Sequence, residues 1–526
     1  MGTELRVKLG ALDDPPLDFG ASRRHGRGHS AGYTNPAMPA SELIERVSAL
    51  ISAHEDGVPP DVQASMRALE TRLRQPLRIA VAGRVKAGKS TLVNALLGQR
   101  VAPTDVSECT RVVTWFSYGH PERLEVHLRD GRTLDAQLSD EGMLPAELPV
   151  PVAEVASVQA FLANAGLRSM TLIDTPGLGS VHDDYSRATR ELLARDSSDA
   201  TAAADAVVFL LGSAVMADEL ETLQMFQTEG DGSSSSANAV GVLSRADQLG
   251  DGTRDSWSVA VELASKFAGT FRKEVATVVP VIGLIAETAE AALLTEPDAM
   301  RLSRLAGLDP KARARMLWSA DRFTTSEAPL SSEERERLLA LLDLYGVTRA
   351  IDAFDGGVSG ATALRNHLSV LSGIAAVKQT LATYFREQDH VLKVRSALDA
   401  LRRLSFAHAD PASASALGRL RSDVEALLLD PVMHPIAELE VAHDINSGRV
   451  TLPEDLLAEL RRLFSPGSAQ TRLGAPSDDP AALRDGARDA MVRWRTFMNT
   501  RSSPAQGHCC RVALRSFQLI WQQYAQ

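Results

Sequence analysis

The chain has 526 residues, 44% of them hydrophobic and 23% charged, and a net charge of −11. That length implies two or three domains, and the acidity argues against non-specific binding of nucleic acid. Three cysteines (Cys109 and the adjacent Cys509 and Cys510) form neither a disulfide framework nor a spaced zinc site, no apolar stretch reaches the ~20 residues of a membrane span, and no secretory h-region is visible, so a cytoplasmic protein is expected.

Residues 1–38 are rich in Gly, Pro, Arg and His and are expected to form a disordered arm. Helical periodicity over 40–55 and 60–75, broken at GVPP, predicts two amphipathic helices within a segment 39–75. Residues 76–385 then alternate strands and helices. LRIAVA, the hairpin LEVHLRDGRTLDA with its Asp130-Gly131 turn, MTLID, DAVVFLL, AVGVLS and VATVVPVI are the predicted strands. Strands separated by helices imply a mostly parallel sheet covered on both faces. GDGSSSSAN at 230–238 is expected to be a flexible loop. Residues 386–526 read as amphipathic helices with Pro/Gly/Ser breaks, which predicts a C-terminal bundle that the two N-terminal helices join.

After LRIAVA comes GRVKAGKST, residues 83–91. Gly83, Gly88, Lys89 and Ser90 fit G-x-x-x-x-G-K-[ST], the phosphate-binding P-loop. Its glycines let successive N–H groups turn inward toward phosphate oxygens, and the following helix points its positive end at the same anion. The contact set is Gly83, Lys86, Ala87, Gly88, Lys89, Ser90 and Thr91. Lys89 is expected to reach the β- and γ-phosphates and Ser90 to ligate Mg²⁺.

LIDTPG at 172–177 follows a strand; Asp174 is expected to hold Mg²⁺ through water and the Gly177 N–H to meet the γ-phosphate. Between the two motifs lies APTDVSECTRVVTW, where a threonine must close on Mg²⁺ and the γ-phosphate. The candidates are Thr104, Thr110 and Thr114, and Thr110 is chosen because Thr-Arg precedes a β-rich run. SRAD at 244–247 stands where a base-reading loop would be. Asp247 can accept from guanine N1–H and N2–H₂, Arg245 can lie over the base, and Ser244 opens the motif, so guanine is favoured over adenine. VVPVIG at 278–283 ends the next strand and offers a weaker base contact.

GRVKAGKSTLVNALLG, APTDVSECTRVVTWF, LIDTPG, VVFLL, SRAD and VPVIG together resemble the dynamin superfamily of large GTPases, most specifically over 77–120 and 170–290. Within it the chain is similar to the actinobacterial isoniazid-inducible (Ini) dynamin-like group. The resemblance implies an α/β P-loop GTPase head on a helical bundle drawn from both chain ends. It implies GTP hydrolysis with Mg²⁺, heads that dimerise across the nucleotide, a paired dynamin-like partner, and remodelling at a membrane met peripherally, with no role for nucleic acid. By the family pattern Lys89 is the phosphate lysine, Ser90, Thr110 and Asp174 serve the metal, Gly177 belongs to the second switch and Asp247 reads the base.

The chain departs from that pattern at two places. Val85 and Lys86 stand where many dynamins carry Gln-Ser, which positions water and a monovalent cation, and Leu178 follows DTPG where a water-orienting glutamine would be useful. Lys86 is therefore expected to supply a fixed positive charge in catalysis, together with Lys89 and Thr110; the alternatives are that it faces solvent or pairs with an acid across a head dimer. Two other functions stay open: a catalytically weak GTP-binding subunit that clamps a second dynamin-like protein, and a translation-associated GTPase. Trp494, Trp521 and nearby phenylalanines are expected in the bundle core.

Overall fold

The computed structural model describes residues 40–524 except 85, 104–110, 140, 177–203, 214–237, 251–254, 272–273, 407–410, 447–449, 466 and 502. The arm at 1–38 and the loop residues 230–237 therefore lie outside the described residues.

Nine described strands form one sheet: β1 (Leu77–Gly83), β2 (Thr114–Tyr118), β3 (Arg123–Leu128), β4 (Thr133–Ala136), β5 (Val155–Leu162), β6 (Met170–Asp174), β7 (Ala206–Leu211), β8 (Ala239–Leu243) and β9 (Val278–Pro280). Their order is β4-β3-β5-β2-β6-β1-β7-β8-β9. β6, β1, β7, β8 and β9 run parallel, so their carboxyl ends share one edge. β2 is antiparallel to β6, and β3 is antiparallel to both β4 and β5. The β3–β4 turn has Gly131 at φ 88°, a conformation that glycine adopts freely.

Period two decides which side each β1 residue serves. Ile79 and Val81 join one apolar core with α3 (Lys89–Leu97), while Ala80 and Ala82 join another. The first core also takes α1 (Ala40–His54), α2 (Pro60–Arg74), α12 (Asp389–Leu404) and α13 (Pro411–Leu428). The second core takes α4 (Ser256–Thr270), α5 (Gly283–Glu290), α6 (Glu296–Ala306), the short α7 (Pro310–Met316) and α8 (Ala320–Thr325), α9 (Ser332–Asp355) and α10 (Gly360–Leu371). Between the last of these and α12 lies α11 (Ile374–Tyr384), whose Ile374, Val377 and Leu381 fall in the first core.

Two strands differ from the sequence expectation. β5 reads VASVQAFL, where Ser157 and Gln159 break the apolar run; it pairs on both sides yet stays half-exposed on alternate residues. β9 is only three residues long and lies at the sheet edge, where Pro280, which lacks an N–H, is tolerated.

A third core is built from α14 (His434–Asn446), α15 (Glu454–Leu463), α16 (Ala469–Leu473), α17 (Pro480–Arg501) and α18 (Pro504–Gln523). α14 joins the cores, giving Ile436 and Leu439 to the first and Val441 and Ile445 to the third. Trp494 is fully buried, and its Nε1–H donates to Glu459 Oε2 at 2.9 Å, meeting the need of a buried indole for an acceptor. Cys509 and Cys510 are buried beside it, and burial pushes the Cys509 thiol up to about 11, which makes it packing rather than a reactive group.

Candidate functional site

β1 ends at the carboxyl edge of the sheet between β6 and β7, and the loop after it turns straight into α3. Two glycines permit the turn for different reasons. Gly83 has φ 145°, and a Cβ there would lie 2.9 Å from the Leu210 carbonyl oxygen. Gly88 has φ 92° with open space around it, so the backbone conformation and not crowding demands glycine. Lys86, exposed on the same loop, holds φ 60°, which is unusual for a side chain with a Cβ. The Ala87 N–H donates to the Arg84 carbonyl at 3.2 Å and tightens the turn.

Lys89 is the first residue of α3 and is buried. Its ammonium donates to the carbonyls of Arg84 at 3.0 Å and Gly83 at 3.3 Å, which spans the mouth of the loop. Burial lowers its pKa, against the attraction of Asp174. Ser90 Oγ donates to Asp174 Oδ2 at 2.8 Å. Asp174 ends β6, is buried, and has its pKa raised by burial against Lys89 and Ser90. Its second oxygen, Oδ1, is buried without a hydrogen-bond partner.

That orphaned oxygen tests the fit of a divalent cation. A buried acceptor without a donor costs roughly 1–3 kcal/mol, and a serine hydroxyl beside a carboxylate is the hard-oxygen donor set that Mg²⁺ takes. The residues fit Mg²⁺. Across the antiparallel ladder Thr114 pairs with Asp174, and Thr114 Oγ1 is also buried without a partner. Thr114 thus belongs to this corner through β2. Thr104, Thr110 and Gly177 lie outside the described residues, as do Val85, Cys109 and Leu178.

The SRAD segment follows β8. Ser244 is buried, and its hydroxyl donates to the Leu211 carbonyl at 3.2 Å, tying the segment to the end of β7. Arg245 sits at φ 55° and donates to the Lys86 carbonyl at 2.5 Å, which pulls this loop onto the P-loop. Asp247 is partly buried, and burial raises its pKa, with the nearby Asp343 carboxylate adding to the rise and Arg245 opposing it. Thr91 packs toward α5, its Cγ2 lying 3.5 Å from where a Cβ on Gly283 would be.

Three supports were missed in the sequence. Asn94, fully buried in α3, donates to the Ala102 carbonyl and to Glu287 Oε1, each at 2.8 Å, and accepts from the N–H groups of Val101 and Ala102. It roots the segment that leads into residues 104–110. Thr175 Oγ1 donates to the Val81 carbonyl at 2.9 Å and pins the chain just after Asp174. Asp343 breaks α9 at φ 53°, ψ 177°; the Leu341 carbonyl takes a hydrogen bond from Thr288 on α5 at 2.5 Å. In sequence, only the TPG following Asp174 hinted at Thr175; the other two have no local signal.

The dynamin-family pattern matches residues 79–226, which begin in β1 and pass through the Lys89–Asp174 corner. The chain is 35% identical over 467 residues to the isoniazid-induced protein IniC of Mycobacterium tuberculosis, covering 87% of this chain and 92% of that protein. It is 30% identical over 160 residues to the isoniazid-induced protein IniA of the same organism, covering 29% of this chain and 24% of that protein. It is 43% identical over 56 residues to a bacterial dynamin-like protein of Nostoc punctiforme, covering 11% and 8%. With the nine-stranded mostly parallel sheet and the P-loop turned into α3, these likenesses identify the chain as a dynamin-family GTPase and a bacterial dynamin-like protein of the Ini group.

Proposed function

We propose that the chain binds GTP with Mg²⁺ at the Lys89–Ser90–Asp174 corner and hydrolyses it to GDP and phosphate. The observation that carries this is the pairing of Ser90 with Asp174 beside a buried ammonium, with one carboxylate oxygen left over. When bound, Mg²⁺ would neutralise charge on the β- and γ-phosphates. The chain's own groups do the rest. Loop N–H groups cradle the phosphates, and Lys89 exchanges the carbonyls of Gly83 and Arg84 for phosphate oxygens. Asp247 accepts from the guanine edge and excludes adenine. Thr110 and Gly177 close on the γ-phosphate, and Ser90, Thr110 and Asp174 form the metal set.

Lys86 supplies a fixed cation where charge develops between the β- and γ-phosphates. Its position on the P-loop supports that role. Arg245, held against the Lys86 carbonyl, makes the loop's conformation depend on the base-reading segment. Turnover rises when two heads meet across the nucleotide.

Membrane remodelling or membrane maintenance, alongside a paired dynamin-like protein, is the cellular role in this reading. No helix among the described residues is long and apolar enough to cross a membrane; in this reading the contact is peripheral. Residues 39–75 and 386–526 would act as the trunk and 76–385 as the head. Titration of fluorescent GTP and ATP with and without Mg²⁺ tests the binding claim: Mg²⁺-dependent preference for GTP is expected, and equal affinity for both nucleotides would overturn it.

A further inference from the structure

The last two helices carry a net positive charge. Between 480 and 523 there are seven arginines against two aspartates, with no lysine or glutamate, in a protein of net charge −11. α17 buries one stripe containing Ala487, Ala490 and Trp494, and α18 buries another containing Ala513 and Phe517. The stripes beside them face an open groove of about 460 Å³, a volume typical of sites for a single small ligand. Arg488 and Arg495 line it from α17, Arg511 and Arg515 from α18, and its apolar lining is Met491, Leu514 and Trp521. The spacings 488/491/495 and 511/514/515/518/521 put each set on one helix face. The groove runs along the helix flanks and not over their connecting turn.

The arginines are poorly neutralised. Arg495 and Arg511 have no carboxylate partner among the described residues, and Arg515 donates to Gln518 Oε1 at 3.3 Å, a neutral group. Arg488 reaches Asp485 at 3.6 Å and Asp489 at 4.0 Å, both long and exposed pairs. Four like charges around one groove repel each other, and a bound anion removes that penalty. An anion alone would leave the apolar lining unused, and a polyanion such as RNA must approach against the net charge of the whole chain. We infer that the groove binds one molecule of an anionic lipid, its phosphate among the arginines and its acyl chain along Met491, Leu514 and Trp521. This site belongs to the third core and does not rest on the reading of the GTP corner.

The test uses the full chain and monomeric lysophosphatidylglycerol, followed by calorimetry and by Trp521 fluorescence. Saturable one-to-one binding is expected, with a blue shift that Trp521→Phe abolishes. Lysophosphatidylcholine, which lacks net charge, and glycerol phosphate, which lacks the chain, should each bind roughly tenfold or more weakly. Arg495→Glu with Arg511→Glu should lose the lipid while the melting transition stays in place, because both side chains are exposed. Arg484→Glu, outside the groove, should bind as the parent does. The inference falls if glycerol phosphate binds as tightly, if lysophosphatidylcholine does, if the double reversal keeps affinity, if single-stranded RNA displaces the lipid with equal potency, or if only intact bilayers bind.

Discussion

Ser90 Oγ and Asp174 Oδ2 lie 2.8 Å apart, joining the first turn of α3 to the end of β6 across 84 residues of sequence. The bond sets two oxygens side by side and leaves Asp174 Oδ1 buried and unpartnered. Ser90→Ala and Asp174→Asn should each weaken the Mg²⁺-dependent part of GTP affinity by about 10–100-fold. Affinity measured in chelator should change little. If chelator and Mg²⁺ give equal losses, the pair is structural only.

The proposed role of Asp247 is to accept hydrogen bonds from guanine. Asp247→Asn replaces one acceptor by a donor, which suits the C2 carbonyl of xanthine. The variant should lose GTP affinity by roughly two orders of magnitude and gain XTP affinity by a comparable factor. Competition titrations with both nucleotides read this directly. Unchanged GTP binding would remove Asp247 from the base site.

Lys86 combines an exposed ammonium with a left-handed backbone. The two features separate by substitution. Lys86→Ala and Lys86→Gly both remove the charge, but glycine also relieves φ 60°. If the charge matters, both should lower turnover about 100-fold with little change in GTP affinity. Lys86→Ser should regain rate with added potassium. If glycine restores the parent rate, only the backbone mattered.

Asp298 is a fully buried carboxylate outside the site. It accepts from Arg337 Nε and Nη2 at 2.9 Å each, from Arg301 at 2.9 Å and from Thr295, binding α6 to α9. Burial alone would raise its pKa, but the hydrogen bonds from Arg337 and Thr295 hold the carboxyl far below its ordinary value. A depressed folded-state pKa gives stability that is complete above the unfolded value near ~3.9 and lost as pH falls below it. Asp298→Asn should cost about 1–3 kcal/mol at neutral pH, because Arg337 loses its carboxylate while half-exposed and Arg301 keeps Glu334 at 3.0 Å. Its denaturant midpoint should also depend less on acid between about pH 2 and 4 than the parent's does.

The legible parts of this protein are those whose chemistry repeats at short spacing. GRVKAGKST after an apolar run announces both the strand and the helix that follow, and LIDTPG does the same for β6. The α/β head with a helical bundle was readable because alternating strands and amphipathic helices bury one stripe each. Asn94 and Glu287 meet across 193 residues, and Thr114 meets Asp174 only through an antiparallel pairing, so neither had a local sign. SEERERLLALLDLYGVTRAIDAFD reads as one continuous helix, and its break at Asp343 depends on α5, where Thr288 takes up the Leu341 carbonyl. β5 escaped because Ser157 and Gln159 interrupt its pattern at a half-exposed position. Arg245 was expected over the base, while its guanidinium reaches the P-loop carbonyl of Lys86; that partner is 159 residues away.

The measurement that bears most directly on a self-activating GTPase is phosphate release per molecule from GTP and from ATP as protein concentration rises, with Lys89→Ala as the blank. The account predicts turnover selective for GTP that climbs with concentration and vanishes in the blank. Tight GTP binding with flat, near-zero release at every concentration would contradict it and would leave a clamp that needs a second protein to complete its site.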